Sequence, residues 1–253
     1  MARLLFSVLT RSNKRPKTLD KLINWVKEQS NRNSPYPMDI VITEDATSIY
    51  EGHKTNLEKA NKTLLNPPDT NNPIVVLCHD DIEILSCHSE VYNILETLCL
   101  QKKTGFVGVA GSTRYDNYGM AGAWWAARNT GETRGIVFQG NENTTMTANW
   151  FGISGQVICL DGLFMAISYE KLKLLGFEKP HYITSNWDFY DISNSFNAHL
   201  KGFNNYVAPI IVRHDSPGTL RDEWVVAKNQ FCKYNAQHLP VVLNHAKTHG
   251  LPL

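Results

Sequence analysis

Ile74-Val75-Val76-Leu77-Cys78-His79-Asp80-Asp81-Ile82-Glu83 runs from unbroken apolar residues straight into an acidic cluster. The apolar part has the length of a strand and no polar alternation, the pattern of a strand covered on both faces of a sheet. In open α/β sheets ligands collect outside the carboxyl ends of the strands. The acidic cluster therefore marks a candidate site. Three carboxylates in four residues repel one another at the edge of a core unless something compensates them. In extended backbone Asp81 and Glu83 share one side and Asp80 faces the other. Hard oxygen ligands of this kind suit Mg2+ or Mn2+, ions that commonly bridge a diphosphate. A solvated acidic turn is the plainer alternative, and the position directly after a buried strand argues against it.

Outward from that run, strand-length apolar segments alternate with helical patterns. Leu4 to Thr10 reads as a first strand. Leu19, Leu22, Ile23 and Val26 then recur at helical spacing, with Thr18 placed to cap the helix. Asp39 to Thr43 is a second strand ending in Glu44-Asp45, and Tyr50 to Leu65 a second helix. Ile74 to Cys78 is the third strand, Glu90 to Leu100 a helix, and Phe106 to Ala110 a fourth strand. This order predicts a parallel α/β sheet with right-handed crossovers.

Gly111 to Ser154 is rich in Gly, Asn, Thr and Trp and reads as long loops with short hairpin strands, a form that is usually functional. Beyond it the pattern gives strands at Gln156 to Leu160, Leu163 to Ser168 and Tyr206 to Val212. It gives helices at Tyr169 to Leu175, near Phe189 to Leu200, and over Arg221 to Ala236. No internal linker appears. The expectation is one α/β domain with a central, mostly parallel mixed sheet flanked by helices.

The chain has 253 residues, 42% hydrophobic and 19% charged, enough to bury a sizeable core. A formal charge of +1 announces neither a nucleic-acid surface nor an acidic tail. The longest apolar stretches are too short or too interrupted to span a bilayer, so no transmembrane segment is expected. The opening run Leu4 to Thr10 lacks the cleavage site of a signal peptide. Cys78, Cys87, Cys99, Cys159 and Cys232 form no CxxC pair and read as reduced thiols, which predicts a cytoplasmic protein.

Strand, acidic pair, helix with Ala60-Asn61, strand and Asp-Asp-x-Glu in that order resemble the family-2 glycosyltransferases of GT-A fold. The likeness continues through Leu160-Asp161-Gly162-Leu163-Phe164-Met165-Ala166, Gly176-Phe177, Phe189-Tyr190-Asp191-Ile192, Lys201-Gly202-Phe203 and Arg213-His214-Asp215-Ser216. It covers about Phe6 to Trp224. Two positions depart from the family pattern: Cys78 replaces a first acid and Ser193 a second acid after the base.

The resemblance implies a single GT-A domain over 1–253, with a nucleotide-binding part at about 1–110, an acceptor-side part at about 111–220 and a C-terminal helix at about 221–240. It implies a nucleotide-diphosphosugar donor, with UDP favoured as the commonest nucleotide, a glycan or other hydroxyl acceptor, and Mn2+ or Mg2+ as cofactor. Its metal ligands would be Asp81, Glu83 and His214. Donor contacts would come from Thr10, Arg11, Glu44, Asp45, Asp80 and Asp161. An inverting transfer needs a carboxylate base near the attacking hydroxyl. The family pattern places that base at Asp191, with Asp188 as the fallback; a helix N-terminus would favour the ionised carboxylate.

Trp124-Trp125, Trp150-Phe151 and Trp187 concentrate around the middle segment, and Trp124 heads them as a sugar-binding candidate, since sugars stack apolar faces on aromatic rings. Core packing is the alternative for these tryptophans. Two other functions use related scaffolds. A sugar nucleotidyltransferase also places acids at strand ends, but Thr10 to Arg15 lacks its usual glycines. A catalytically inactive glycan-binding domain would account for Cys78 and Ser193, though not for the retained acids and His214.

Overall fold

The computed structural model describes residues 1–11, 16–30, 34–61, 72–116, 123–125, 131–140, 144–216 and 221–243. The chain begins with strand β1 (Leu4–Leu9), helix α1 (Lys17–Lys27), strand β2 (Met38–Thr43), helix α2 (Ile49–Asn61) and strand β3 (Ile74–His79). β1 lies between β2 and β3 and pairs with both in parallel, as the alternating pattern predicts. Every residue of β1 is buried. Successive side chains point to opposite faces of a strand, and both faces are covered here: Leu4, Phe6 and Val8 join one core cluster, Leu5 and Leu9 the other.

The helix α1 begins two residues earlier than expected, at an N-cap formed by Pro16 without a side-chain hydrogen bond. Thr18 is therefore not the cap. It is buried in the first turn, and its hydroxyl donates to the Asp80 carbonyl at 3.4 Å. A proline suits this place because the first helical N–H groups have no partner within the helix.

After β3 come β4 (Ile82–Ile84), α3 (His88–Cys99), β5 (Thr104–Gly108), β6 (Ala110–Ser112), β7 (Arg114–Tyr115), β8 (Thr133–Gln139), β9 (Thr147–Gly152), β10 (Gly155–Val157) and β11 (Cys159–Leu160). The chain continues through β12 (Phe164–Ser168), α4 (Tyr169–Leu175), α5 (Tyr190–Leu200), β13 (Asn204–Val207), β14 (Val212–His214), α6 (Asp222–Tyr234) and β15 (Val241–Val242). Among the described residues, seven strands form the main sheet in the order β10-β13-β5-β12-β3-β1-β2. The fourth predicted strand, β5, is not the neighbour of β3. β12 lies between them, antiparallel to both. It enters from the Asp161-Gly162 turn at the carboxyl end of β3 and so must run backwards, Phe164 opposite Cys78 and Ser168 opposite Ile74.

Among its described residues the middle segment holds longer strands than its composition suggests. A second sheet, β11-β6-β8-β14-β4, is built largely from it, with β9 paired to β8. The predicted strand from Tyr206 to Val212 is two strands. β13 stops at Val207, β14 starts at Val212, and Pro209 stands between them. Proline has no N–H for a ladder, which is the local reason for the break. β13 pairs with β5 in the main sheet, whereas β14 pairs with β8 and β4 in the second. This change of sheet carries His214 to the end of β3.

Candidate active site

The strand ends meet at three side chains. His79 closes β3, Asp81 follows in a two-residue turn, and His214 closes β14. The antiparallel pairing of β4 with β14 sets His214 opposite Ile82, and the Asp215 amide donates to the Asp81 carbonyl at 2.9 Å. One donor atom from each of His79, Asp81 and His214 fits within a 4.8 Å group. Asp81 Oδ1 stands 3.3 Å from His214 Nε2 and 3.7 Å from His79 Nδ1. Asp81 Oδ1 and His214 Nε2 are buried and face each other across that contact, and Asp215 Oδ1 beside them is a buried polar atom without a hydrogen-bond partner. Such atoms are costly unless something else satisfies them, so this donor set fits a cation. Two imidazoles with one carboxylate shift the preference away from Mg2+ toward Mn2+ and softer ions.

The protonation of these groups is set by burial and by their contacts with one another. Burial pushes the Asp81 carboxyl up, but the contacts with His214 and His79 outweigh it and hold the carboxyl at about 2. Burial lowers His214 and Asp81 raises it, with a net rise above the ordinary imidazole value. His79 is lowered, first by burial, against the opposing charge of Asp81. Asp80, on the other side of the turn, is pushed up to about 6 by burial and by Asp81.

Glu83 is not part of this group. Turning the chain at Asp80-Asp81 resets the alternation that continuous strand geometry would give, and on β4 Glu83 lies opposite Arg213. Its carboxylate pairs with the Arg213 guanidinium and lies 3.7 Å from Lys21 Nζ. The sequence reading passed over His79. Its place at the end of β3, directly before the acidic pair, was the available signal.

A cleft of about 330 Å3 opens beside the cluster, lined by His79, Asp80, Asp81 and His214 on one side and by Arg11, Trp187, Asp188 and Arg221 on the other. The Arg11 guanidinium lies over the Trp187 ring, 4.3 Å from its centroid, an arrangement that orients a cation while leaving its edge free. Asp188 is buried and occupied: Arg221 donates to it at 2.6 Å and the Ser185 hydroxyl at 2.7 Å. Thr10 is buried, with its backbone amide donating to Thr43 O and its carbonyl accepting from Ala46 N. Glu44 and Asp45 are exposed at the end of β2 and do not line this cleft.

Behind the cluster, the Asp161-Gly162 turn is held by α5. Asp191 Oδ2 accepts from the Gly162 amide at 2.9 Å and Oδ1 from the Ile192 amide at 2.8 Å. The Tyr190 hydroxyl donates to the Gly162 carbonyl at 2.6 Å and lies 3.1 Å from His79 Nε2. Gly162 is required here: a Cβ would stand 2.1 Å from the Tyr190 hydroxyl oxygen. The amides at the helix N-terminus favour the ionised Asp191, but burial and the charge of Asp161 outweigh them and push its carboxyl up to about 7.

Asp161 accepts from Leu163 N at 3.0 Å and from Trp124 Nε1 at 3.1 Å. Trp124 is buried, edge-on to Phe151 and Trp125, so it braces the turn from within the core. Trp125 is partly buried against Trp224, whereas Trp150 on β9 is 56% exposed.

A model of the glycosyltransferase-like family matches residues 35–241. Among solved structures, GalNAc-T7 with UDP, GalNAc and Mn2+ superposes with a TM-score of 0.54 at 9% identity, over 85% of this chain and 44% of that one. The present chain thus spans less than half of that protein. A197 from STIV aligns over 87% of this chain and 98% of its own, at 12% identity and a TM-score of 0.41. No curated protein matches in sequence. No helix among the described residues is long and apolar enough to cross a membrane.

Proposed function

We propose, from the premise that this chain belongs to the glycosyltransferase-like family, that it is a metal-dependent enzyme transferring a sugar from a nucleotide-diphosphate donor to a glycan hydroxyl. Glycosyltransferase identity and the GT-A-like fold follow from the family match and the likeness to GalNAc-T7; they set aside the nucleotidyltransferase reading. The donor, the ion and the stereochemistry are our reading. The observation that carries it is the cluster of His79, Asp81 and His214, with the orphaned Asp215 Oδ1 beside it, opening into a cleft that also presents Arg11.

In this reading His79, Asp81 and His214 hold Mn2+, which when bound supplies Lewis-acid stabilisation of phosphate oxygens. Arg11, stiffened by its stacking on Trp187, binds the diphosphate and offsets the charge of the departing nucleotide. Asp80 lines the same cleft on the donor side, and a carboxyl near 6 can accept or donate to ribose or sugar hydroxyls. UDP is the proposed nucleotide. Thr10, Glu44 and Asp45 lie at strand ends on the same edge, and we assign them the base and ribose end.

Asp191 is the proposed base for an inverting transfer. A carboxyl brought to about 7 is matched to taking a proton at neutral pH. Asp188 serves instead to fix Arg221 at the cleft wall. On this division residues 1–110 bind the nucleotide, 111–220 form the acceptor side, and the C-terminal helix closes behind them. Compartment does not follow from the fold, and a cytoplasmic setting stays part of the proposal.

Titration calorimetry of UDP with and without Mn2+, in the wild type and in Asp81→Asn, tests this reading. The ion should strengthen UDP binding in the wild type and have no effect in the variant. Equal Mn2+ dependence in both proteins removes Asp81 from the metal site and overturns the assignment.

A further inference from the structure

We infer that Tyr190 is a positioning residue that locks His79 in the Nε2–H tautomer, leaving Nδ1 as the bare nitrogen donor on the side of Asp81 and His214. The inference deepens the metal-dependent reading above and rests on it for its purpose.

The argument is a count of protons. A phenol carries one hydrogen and a backbone carbonyl carries none. The Tyr190 hydroxyl is 2.6 Å from the Gly162 carbonyl oxygen, which can only accept, so the phenolic hydrogen is committed there. The same hydroxyl stands 3.1 Å from His79 Nε2 and can only accept from it. Nε2 must then carry a hydrogen. A neutral imidazole has a single N–H, so the lone pair is on Nδ1, the nitrogen 3.7 Å from Asp81 Oδ1. Ligating histidines are commonly oriented in this way through their second nitrogen. In this chain the partner is a phenol, itself anchored on a peptide carbonyl.

The anchor is built into the fold. Tyr190 is 5% exposed, so its hydroxyl has no alternative partner in solvent. The hydroxyl occupies the space a Cβ at residue 162 would need. The Gly162 amide donates to Asp191, so consecutive residues of α5 grip both ends of one glycine.

Long-range 1H–15N spectra of the metal-free protein labelled with 15N-histidine read the tautomer directly, with His79 assigned by the signal lost in His79→Gln. The expected result is the Nε2–H form in the wild type and a mixture of both tautomers in Tyr190→Phe. Mn2+ affinity, measured by paramagnetic resonance, should fall by about 10–100-fold in Tyr190→Phe, with an unchanged circular dichroism spectrum. A wild-type His79 in the Nδ1–H form overturns the inference without any variant having to fold. So does a folded Tyr190→Phe protein with wild-type tautomer and Mn2+ affinity. An Nε2–H wild type that binds no Mn2+ instead overturns the metal-dependent reading and with it the purpose assigned to Tyr190.

Discussion

Replacing Asp191 by Asn should uncouple two properties that a purely structural or a purely catalytic role would move together. The wild-type carboxyl is brought from 3.8 to about 7, chiefly by burial and then by Asp161. Its folded-state pKa is raised, so between about 4 and 7 the folded protein holds a proton that the unfolded chain has released. Unfolding stability then falls as pH rises through that window, by up to about 1.4 kcal/mol per pH unit. Over the full shift this approaches about 4 kcal/mol. Asp191 keeps partial solvent contact, so about half that figure is the expectation. Asn carries no charge and should lack this slope. It can also accept only one of the two amide hydrogen bonds, from Gly162 and Ile192, and the N–H left without an acceptor costs about 1–3 kcal/mol. The variant should therefore be less stable than wild type at pH 5 and close to it at pH 8, while its turnover falls by about 10²–10⁴. Urea unfolding in EDTA at pH 5, 6, 7 and 8, followed by the difference between the two proteins, isolates Asp191 from other groups titrating in the range. Parallel stability profiles would refute the raised pKa, and near-normal turnover would refute the base.

Three further substitutions probe neighbouring parts. Since His214 is raised above the ordinary imidazole value and must lose its proton to ligate, Mn2+ affinity should fall as pH drops from 8 to 6; His214→Ala should bind weakly at every pH, and a retained pH slope would implicate another group. Arg11→Ala removes the cation stacked on Trp187 and should weaken UDP binding by about tenfold or more, the scale of one lost charged hydrogen bond, with Mn2+ affinity unchanged; equal loss of both would mean that Arg11 shapes the metal site. Gly162→Ala forces a Cβ against the Tyr190 hydroxyl and should cost about 1–3 kcal/mol of unfolding stability, measured by urea denaturation; a neutral result would show that the turn yields freely.

Much of the main sheet could be read because each of its strands is a local event. Ile74 to Cys78 is apolar without interruption and Leu4 to Leu9 is broken only by Ser7, since both faces meet core, and nothing distant is needed to recognise them. The second sheet was hidden for the opposite reason. Thr133 to Gln139 has just three apolar residues, Ile136 to Phe138, between polar ends, and its strand character comes from ladders to β6, β9 and β14 drawn from separate parts of the chain. The candidate site divides the same way. Asp81 and His214 could be picked out by position after strands. Glu83 lies outside the group because Arg213 faces it across a ladder that local sequence does not display. His79 was missed because the phenol that orients it belongs to α5. Trp124 looked like a platform for sugar because consecutive tryptophans are hard to bury in a glycine-rich loop, yet the Asp161 carboxylate gives its indole N–H a partner inside the core.

The passage of the chain from β13 to β14 has a consequence for how this protein comes into being. His79 belongs to the main sheet and His214 to the second, more than half the chain length apart. Closing so long a loop is entropically costly until the intervening structure is in place. A nascent or truncated chain that has formed only β1 to β3 possesses His79 and Asp81 but not the third donor, and so cannot hold the ion with its full set. If the chain binds the proposed ion, its capture distinguishes the finished molecule from its precursors, and Mn2+ added during refolding should stabilise the end state without speeding the early steps.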